Sequence, residues 1–255
     1  MIHKLLKGDV FDKLEKLPDS MFDLIICDGP YDAVNCSSKW DNVKFIHEYN
    51  LKLIHLFSTK LKRGGSLYMF GKHNAIDNIN YSNYLQLNNR IIWVITSRLR
   101  QSKYRYTNNY DVIFFFSKGV PKTFNLDSIR VPQQTKYISS VESSPSVKDG
   151  KFTKTKYNPN GKNPGDVWSD IKALTYRSNE LLSKELHTIQ KPEKLIERLM
   201  LASSNVGDVV LDAFSGTGTT SIVAKKLKRH SVAIENDDKM YYIIQNRMKD
   251  CDNSN

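Results

Sequence analysis

The sequence has few cysteines and no long apolar run, and each scarcity disfavours a class of protein. Its 255 residues include 3 cysteines without a C-x-x-C pair, so a disulfide framework and a zinc site are both disfavoured. No apolar run approaches the roughly 20 residues of a membrane span. The basic start MIHKLLKGDV lacks the apolar centre of a signal peptide. We therefore expect a cytoplasmic protein that uses no metal and no membrane.

Acidic residues are also in short supply, with 27 Asp and Glu against 38 Lys and Arg, a net charge of +11. A hydrophobic content of 40% is enough for a sizeable core and argues against general disorder. The segment 98–185 contains 16 basic and 8 acidic residues, and aromatic rings alternate with the cations. A solvated basic surface is the alternative, but cations for phosphates and rings for stacking favour a nucleic-acid surface. The candidate nucleic-acid-binding residues are Arg98, Arg100, Lys103, Arg105, Lys154 and Lys156.

Apolar runs alternate with helical patterns at both ends of the chain, which predicts a doubly wound, mostly parallel α/β sheet. Helices are expected over 45–61, where Gly64-Gly65 would stop the helix, from Pro192, up to Lys228, and from Asp238. Strands are expected at 3–6, 22–27, 66–70, 90–95, 111–116, 208–211 and 232–234.

The periodicity fails between Ser117 and Glu185, where five prolines interrupt the chain. A linker is one interpretation, but loops of this length inside a compact domain are more often functional. The excess of positive charge favours an irregular insertion that reads nucleic acid. We therefore divide the chain into 1–116, an insertion at 117–185, and 186–255, with the first and last parts contributing to one sheet.

A glycine loop follows the strand predicted at 208–211, although the chain has only 12 glycines. In DAFSGTGTT, Gly216 and Gly218 allow a ligand close to the backbone, and the following helix offers free N–H groups. Glu235 ends the next strand about 20 residues on, where a carboxylate typically binds a ribose diol. A turn that only starts a helix would explain the glycine loop alone, and a carboxylate with a structural role would explain Glu235 alone. Together they indicate a nucleoside cofactor.

A second loop, Asp28-Gly29-Pro30-Tyr31, follows the strand predicted at 22–27. The Asp-Gly-Pro sequence is also typical of a surface turn. Two features favour a ligand site: the loop leaves the carboxyl end of a buried strand, and it ends in an aromatic residue.

DGPY and DAFSGTGTT together resemble the catalytic and cofactor motifs of the S-adenosylmethionine-dependent DNA amino-methyltransferases. The order, catalytic loop first and cofactor loop last, resembles the permuted β class of bacterial and phage restriction–modification systems. The resemblance implies a Rossmann-like methyltransferase sheet whose insertion recognises the target. It also implies methylation of adenine N6 in double-stranded DNA by base flipping, with S-adenosylmethionine as cofactor and a restriction endonuclease acting separately.

The resemblance also implies roles for individual residues. Asp28, Gly29, Pro30 and Tyr31 would be catalytic. Glu235 would hold the ribose, Asp9 would face the adenine of the cofactor, and Lys191 in HTIQKP would lie near the cofactor carboxylate. For His187, which begins that block, a structural role and a ligand contact both stay open. The full set implied to bind the cofactor is Asp9, Asp28, Lys191, Asp212, Phe214, Ser215, Gly216, Thr217, Gly218, Thr219 and Glu235.

Three positions depart from the family pattern. Gly29 replaces the usual proline of DPPY, HTIQKP lacks the proline after histidine, and Thr217 replaces a common serine. None of these changes removes a reacting group. Cytosine-N4 methylation, methylation of RNA, and a non-catalytic DNA-binding protein with this fold are the alternatives that stay open.

Overall fold

The computed structural model describes residues 1–30, 46–72, 76–97, 103–104, 106–133, 144–148, 151–155, 158–186 and 190–253. Its helices are α1 (Val10–Lys16), α2 (Ile46–Lys60), α3 (Glu193–Ser203), α4 (Thr219–Lys226) and α5 (Asp238–Asn253). Its strands are β1 (His3–Lys7), β2 (Phe22–Cys27), β3 (Leu61–Gly71), β4 (Gln86–Val94), β5 (Tyr110–Ser117), β6 (Ser144–Lys148), β7 (Lys151–Thr155), β8 (Val167–Trp168), β9 (Val209–Asp212) and β10 (His230–Glu235).

Eight strands form one sheet in the order β1-β10-β9-β2-β3-β5-β4-β8. Strand β5 runs antiparallel to both of its neighbours, and the other adjacent pairs are parallel. Because β9 and β10 lie between β1 and β2, the two ends of the chain build one continuous sheet. This confirms the predicted doubly wound, mostly parallel α/β fold.

Helices cover both faces of this sheet, and β2 shows why. Its side chains alternate, so Ile25 packs with α1 and α2, whereas Leu24 and Ile26 pack with α3 and α4. A strand that is buried on both faces is apolar throughout, as FDLIIC nearly is. Both cores therefore hold β2 in place, and the residues that follow it leave the sheet from a rigid base.

One predicted boundary is wrong. Helix α2 ends at Lys60 and β3 begins at Leu61, so Gly64 and Gly65 lie inside a strand and do not stop the helix. The strand is irregular at this point, because Gly64 has a φ of +79° and its N–H donates to the carbonyl of Lys118 at 2.8 Å. A Cβ on Gly64 would lie 2.8 Å from Lys122 Cβ. Glycine is therefore required here by the close approach of the chain that follows β5.

Part of the predicted insertion packs against the sheet. Strand β8 pairs with β4 as the eighth strand, and Trp93 Nε1 donates to the carbonyl of Ile171 at 2.8 Å. Arg198 of α3 forms an ion pair with Asp170 and lies 4.8 Å from the ring of Trp168. Strands β6 and β7 form a separate antiparallel hairpin. The division at residues 117 and 185 stays a prediction.

Among the residues that the structure describes, no helix is both long and apolar enough to cross a membrane.

Candidate active site at the carboxyl edge of the sheet

Four neighbouring parallel strands end side by side, and the candidate loops follow three of them. Ile26 of β2 pairs with Asp212 of β9, and Ala233 of β10 pairs with the same residue. Glu235 at the end of β10 pairs with Lys7 of β1, directly before Gly8 and Asp9. The DGPY loop, the glycine loop, Glu235 and Asp9 therefore lie along one edge of the sheet. Open α/β sheets bind ligands at this edge.

Asp28 follows β2 directly and forms an ion pair with Lys191, whose Nζ donates to Asp28 Oδ2. The side chains are largely enclosed, with 22% of Asp28 and 12% of Lys191 exposed. Lys191 Nζ also lies 5.3 Å from the ring centroid of Phe70, at the end of the adjacent strand β3. The lysine expected at the cofactor thus contacts the candidate catalytic carboxylate. Tyr31 lies outside the described residues.

Gly29 packs directly against the glycine loop. A Cβ built on Gly29 would lie 3.1 Å from Cε2 of Phe214, closer than an ordinary van der Waals contact. Glycine in place of the usual proline therefore lets the two loops approach each other at this point. The structure brings the backbone of the candidate catalytic loop against a side chain of the candidate cofactor loop.

The glycine loop is held by β10 and by α5. The N–H of Ser215 donates to Ile234 O at 3.0 Å, and Gly218, with a φ of +80°, caps the start of α4. A Cβ on Gly218 would lie 3.0 Å from Ile244 of α5, so packing and backbone both require glycine. Arg247 Nη1 donates to Thr217 O at 2.7 Å. Ser215, Thr217 and Thr219 are buried within this loop.

Two acidic residues beside the loop have raised pKa values. Asp212 is 4% exposed, and burial raises its pKa from 3.8 to about 7, with smaller contributions from the negative charges of Asp28 and Glu235. Burial also raises the pKa of Glu235, although N–H groups, including that of Gly216 at 2.7 Å, partly oppose the shift. Carboxyl groups with raised pKa values cluster at functional sites, so this pair marks a candidate site. Their charges would suit a ligand that carries positive charge.

Other predicted residues are placed less directly. Asp9 is exposed and caps α1, accepting from the N–H of Phe11 at 2.8 Å. Lys103 is exposed, and it follows β4, which ends at the same edge as β2 and β3. Lys154 lies in β7, the second strand of the β6–β7 hairpin. Arg98, Arg100, Arg105, Lys156 and His187 lie outside the described residues.

The structure adds two residues to the site that sequence reasoning did not identify. Phe70 lies beside Lys191, and its position at the end of a predicted strand next to β2 was the available signal. Arg247 holds the glycine loop from α5, and nothing in its sequence context indicates this role. In the described part of the chain, no group of three or more His, Cys, Asp or Glu side chains is placed to hold a metal ion.

This arrangement, a carboxylate and a glycine loop at adjacent strand ends of a doubly wound sheet, is typical of proteins that bind a nucleoside cofactor. The chain matches the family model described as DNA methylase, which comprises the N6 and N4 methyltransferases, over residues 22–246. It therefore belongs to the N6/N4 DNA methyltransferase family, and this confirms the resemblance seen in its motifs.

Named relatives agree with this assignment. The Type II methyltransferase M1.MboII of Moraxella bovis is 33% identical over 242 residues, which cover 92% of each chain. The DNA adenine methyltransferase YhdJ of Escherichia coli strain K12 is 32% identical over 243 residues, covering 91% of this chain and 77% of the relative. The solved complex of M1.HpyAVI with S-adenosylmethionine has the same fold, with a TM-score of 0.60, 19% identity, and coverage of 96% and 100%.

Proposed function

We propose that this DNA methyltransferase transfers a methyl group from S-adenosylmethionine to the exocyclic N6 of adenine in duplex DNA, at a specific sequence. The observation that carries the proposal is the packing of Gly29 against Phe214, because it joins a loop that can accept N–H groups to a loop suited to a nucleoside cofactor. The adenine relative YhdJ supports the choice of base. The Asp-headed loop resembles the adenine type within the family.

The residues at this edge fit S-adenosylmethionine, which supplies an electrophilic methyl group on a positively charged sulfur. Asp212 and Glu235 provide negative charge, and the raised pKa of Asp212 is what a positively charged ligand would lower. Gly216 and Gly218 have positive φ values, so the loop offers backbone without side chains. We assign Asp212, Phe214, Ser215, Gly216, Thr217, Gly218 and Thr219 to the methionine part, Glu235 to the ribose, and Asp9 to the adenine side.

The exocyclic amine of adenine is a weak nucleophile because its lone pair is conjugated with the ring. The Asp28 carboxylate and the Gly29 carbonyl would accept its two N–H groups and draw the nitrogen towards a tetrahedral geometry. The lone pair would then be available for in-line attack on the methyl carbon, so positioning contributes more than basicity. Pro30 would stiffen the loop, and Tyr31 would stack on the flipped base. Cys27 is fully buried in the core, where burial raises its pKa, and we give it no catalytic role.

The DNA would lie across the carboxyl edge and be held by the basic segment. Lys103 lies between β4 and β5 with two almost fully exposed rings, Tyr104 and Tyr106. An exposed ring is able to stack on a base, and a nearby cation is able to bind a phosphate. We propose that Arg98, Arg100, Lys103, Arg105, Lys154 and Lys156 contact the DNA, and that a cognate restriction endonuclease acts as a separate protein.

Cytosine N4 is the second candidate acceptor, because the family model covers methylation of both amines. The test is to incubate the protein with S-adenosylmethionine and, in separate reactions, with duplex DNA and with RNA of mixed sequence, and to analyse the nucleosides by mass spectrometry. Binding of S-adenosylmethionine is measured by calorimetry. We expect N6-methyladenine. N4-methylcytosine alone would refute the adenine assignment, methyl groups found in RNA but not in DNA would refute the substrate class, and failure to bind S-adenosylmethionine would favour a non-catalytic DNA-binding protein.

The role of Asp28 has its own test. Asp28→Ala should abolish methyl transfer and leave the affinity for S-adenosylmethionine within a few-fold of normal in calorimetry. Asp19→Ala is a matched control, because Asp19 also pairs with a largely enclosed lysine, Lys60, near the opposite end of β2. Near-normal turnover by the Asp28→Ala protein would show that the carboxylate is not needed for transfer.

A further inference from the structure

Lys191 is held by a well-anchored stretch of backbone. The preceding residue, Gln190, is buried, and its side-chain amide donates to Glu180 O at 2.6 Å and accepts from the N–H of Leu182 at 3.1 Å. On the other side, the N–H of Glu193 donates to the Glu180 carboxylate at 3.0 Å. Both neighbours of the Lys191-Pro192 pair are therefore fixed to the same loop.

Helix α3 connects the Lys191-Pro192 pair to β2, the strand that precedes Asp28. Pro192 is the N-cap of α3, and Leu195 and Ile196 are buried in the same core cluster as Leu24 and Ile26 of β2. Lys191 and Asp28 therefore both adjoin elements, α3 and β2, that pack in the same core cluster. Residues placed in this way hold their partners in a narrow range of geometries.

The ion pair itself lies in an enclosed and acidic environment. Lys191 and Asp28 are both mostly shielded from solvent, and the charge of Asp28 contributes to the raised pKa of Asp212. A partly buried carboxylate that lost its cation would be left with an uncompensated charge. The ring of Phe70 adds an aromatic contact to the ammonium group at 5.3 Å. The anchored backbone, the ion pair with Asp28 and the contact with Phe70 therefore all stabilise Lys191 at this position.

We propose that Lys191 is a positioning residue for Asp28, and that its main contribution is to the rate of methyl transfer. Its bond to Oδ2 restrains the orientation of the carboxylate that accepts the target amine. This inference rests on the proposed function of Asp28. It differs from a role at the cofactor carboxylate, in which loss of the lysine would mainly weaken cofactor binding.

The test separates these two roles by measuring rate and affinity independently. In Lys191→Met, the single-turnover rate at saturating S-adenosylmethionine and DNA should fall about 10²-fold, as expected when a reacting group is misplaced. The dissociation constant for S-adenosylmethionine, measured by calorimetry, should change by less than about threefold, a ΔΔG of under about 0.7 kcal/mol. Lys191→Arg should recover part of the rate, because it keeps the positive charge near Asp28.

Lys194→Met is the control, because it removes the same charge three residues further on, at an exposed position of α3. A normal saturating rate in Lys191→Met would overturn the proposal, as would a loss of cofactor affinity as large as the loss of rate. Thermal unfolding shows whether the methionine variant folds, and the arginine variant keeps the test available if it does not. If the wild-type protein transfers no methyl group to either amine, the proposed function fails; if it methylates cytosine N4, the lysine test is unchanged.

Discussion

The buried carboxyl group of Asp212 should make the stability of this protein depend on pH in an unusual direction. Most native carboxylates stabilise the fold as pH rises, because they are paired or hydrogen-bonded in their charged form. Asp212 behaves in the opposite way, since burial raises its pKa from 3.8 to about 7. Its contribution is fully favourable below about pH 4 and is lost as pH rises towards and through 7.

The size of this effect follows from the shift. Each unit of pKa difference corresponds to 1.36 kcal/mol, so a rise of about 3 units corresponds to about 4 kcal/mol. Asp212→Asn removes the titration and keeps the amide neutral. The side-chain oxygen of Asn at this position is still able to accept from the N–H of Phe214, as Asp212 Oδ1 does at 3.3 Å. The variant should therefore gain stability relative to wild type as pH rises from 4 to 8, by up to about 4 kcal/mol.

The measurement is the free energy of unfolding in urea for both proteins, at several pH values between 4 and 8. The informative quantity is the difference between the two curves, because titrating groups that do not interact with Asp212 cancel in it. Asp12→Asn, at an exposed position in the first turn of α1, controls for the change in net charge. A difference that stays constant across this range would show that Asp212 titrates as an ordinary carboxyl group and would refute the reasoning.

Two further changes test the packing between the loops and the role of the basic segment. Gly29→Ala should destabilise the protein by about 1 kcal/mol, because the added methyl group crowds Phe214. Phe214→Leu should relieve part of that loss. If urea unfolding gives additive losses in the double variant, the two residues are not in contact. Replacing Arg100 and Arg105 by Glu should weaken DNA binding and reduce the salt dependence of log K by about 0.9 for each phosphate that the protein no longer neutralises; an unchanged slope in fluorescence titrations would show that these cations do not bind phosphate.

Much of the site was predictable because its parts are local in sequence. Strand β2 was predicted with its observed bounds, since six residues that are mostly apolar and end at an acidic loop leave little choice of structure. The glycine loop follows β9 as expected, and Glu235 ends β10. The convergence of these loops also follows from topology, because parallel neighbours end at the same edge.

What could not be predicted depends on contacts between distant residues. Strand β8 has two residues, and its pairing is set by packing near Trp93 that no local pattern indicates. The glycines of β3 were interpreted as a helix stop, because their contact with Lys122 appears only when the chain is folded. The ion pair of Lys191 with Asp28 joins residues that are 163 positions apart, and no local sequence pattern predicts such a contact.

The placement of β9 and β10 between β1 and β2 has a consequence for how the protein is made. The side chains of His3 and Ser231, which are 228 positions apart, lie within hydrogen-bonding distance across the β1–β10 ladder. A nascent chain emerges from the ribosome at about 5–20 residues per second, so β1 and β2 wait more than about 10 s for the strands that separate them. During that interval the positions of β9 and β10 between the first two strands are empty, and pairings between residues far apart in sequence form slowly. The protein therefore gains its glycine loop and its completed sheet in the same late step, and an unfinished chain has neither.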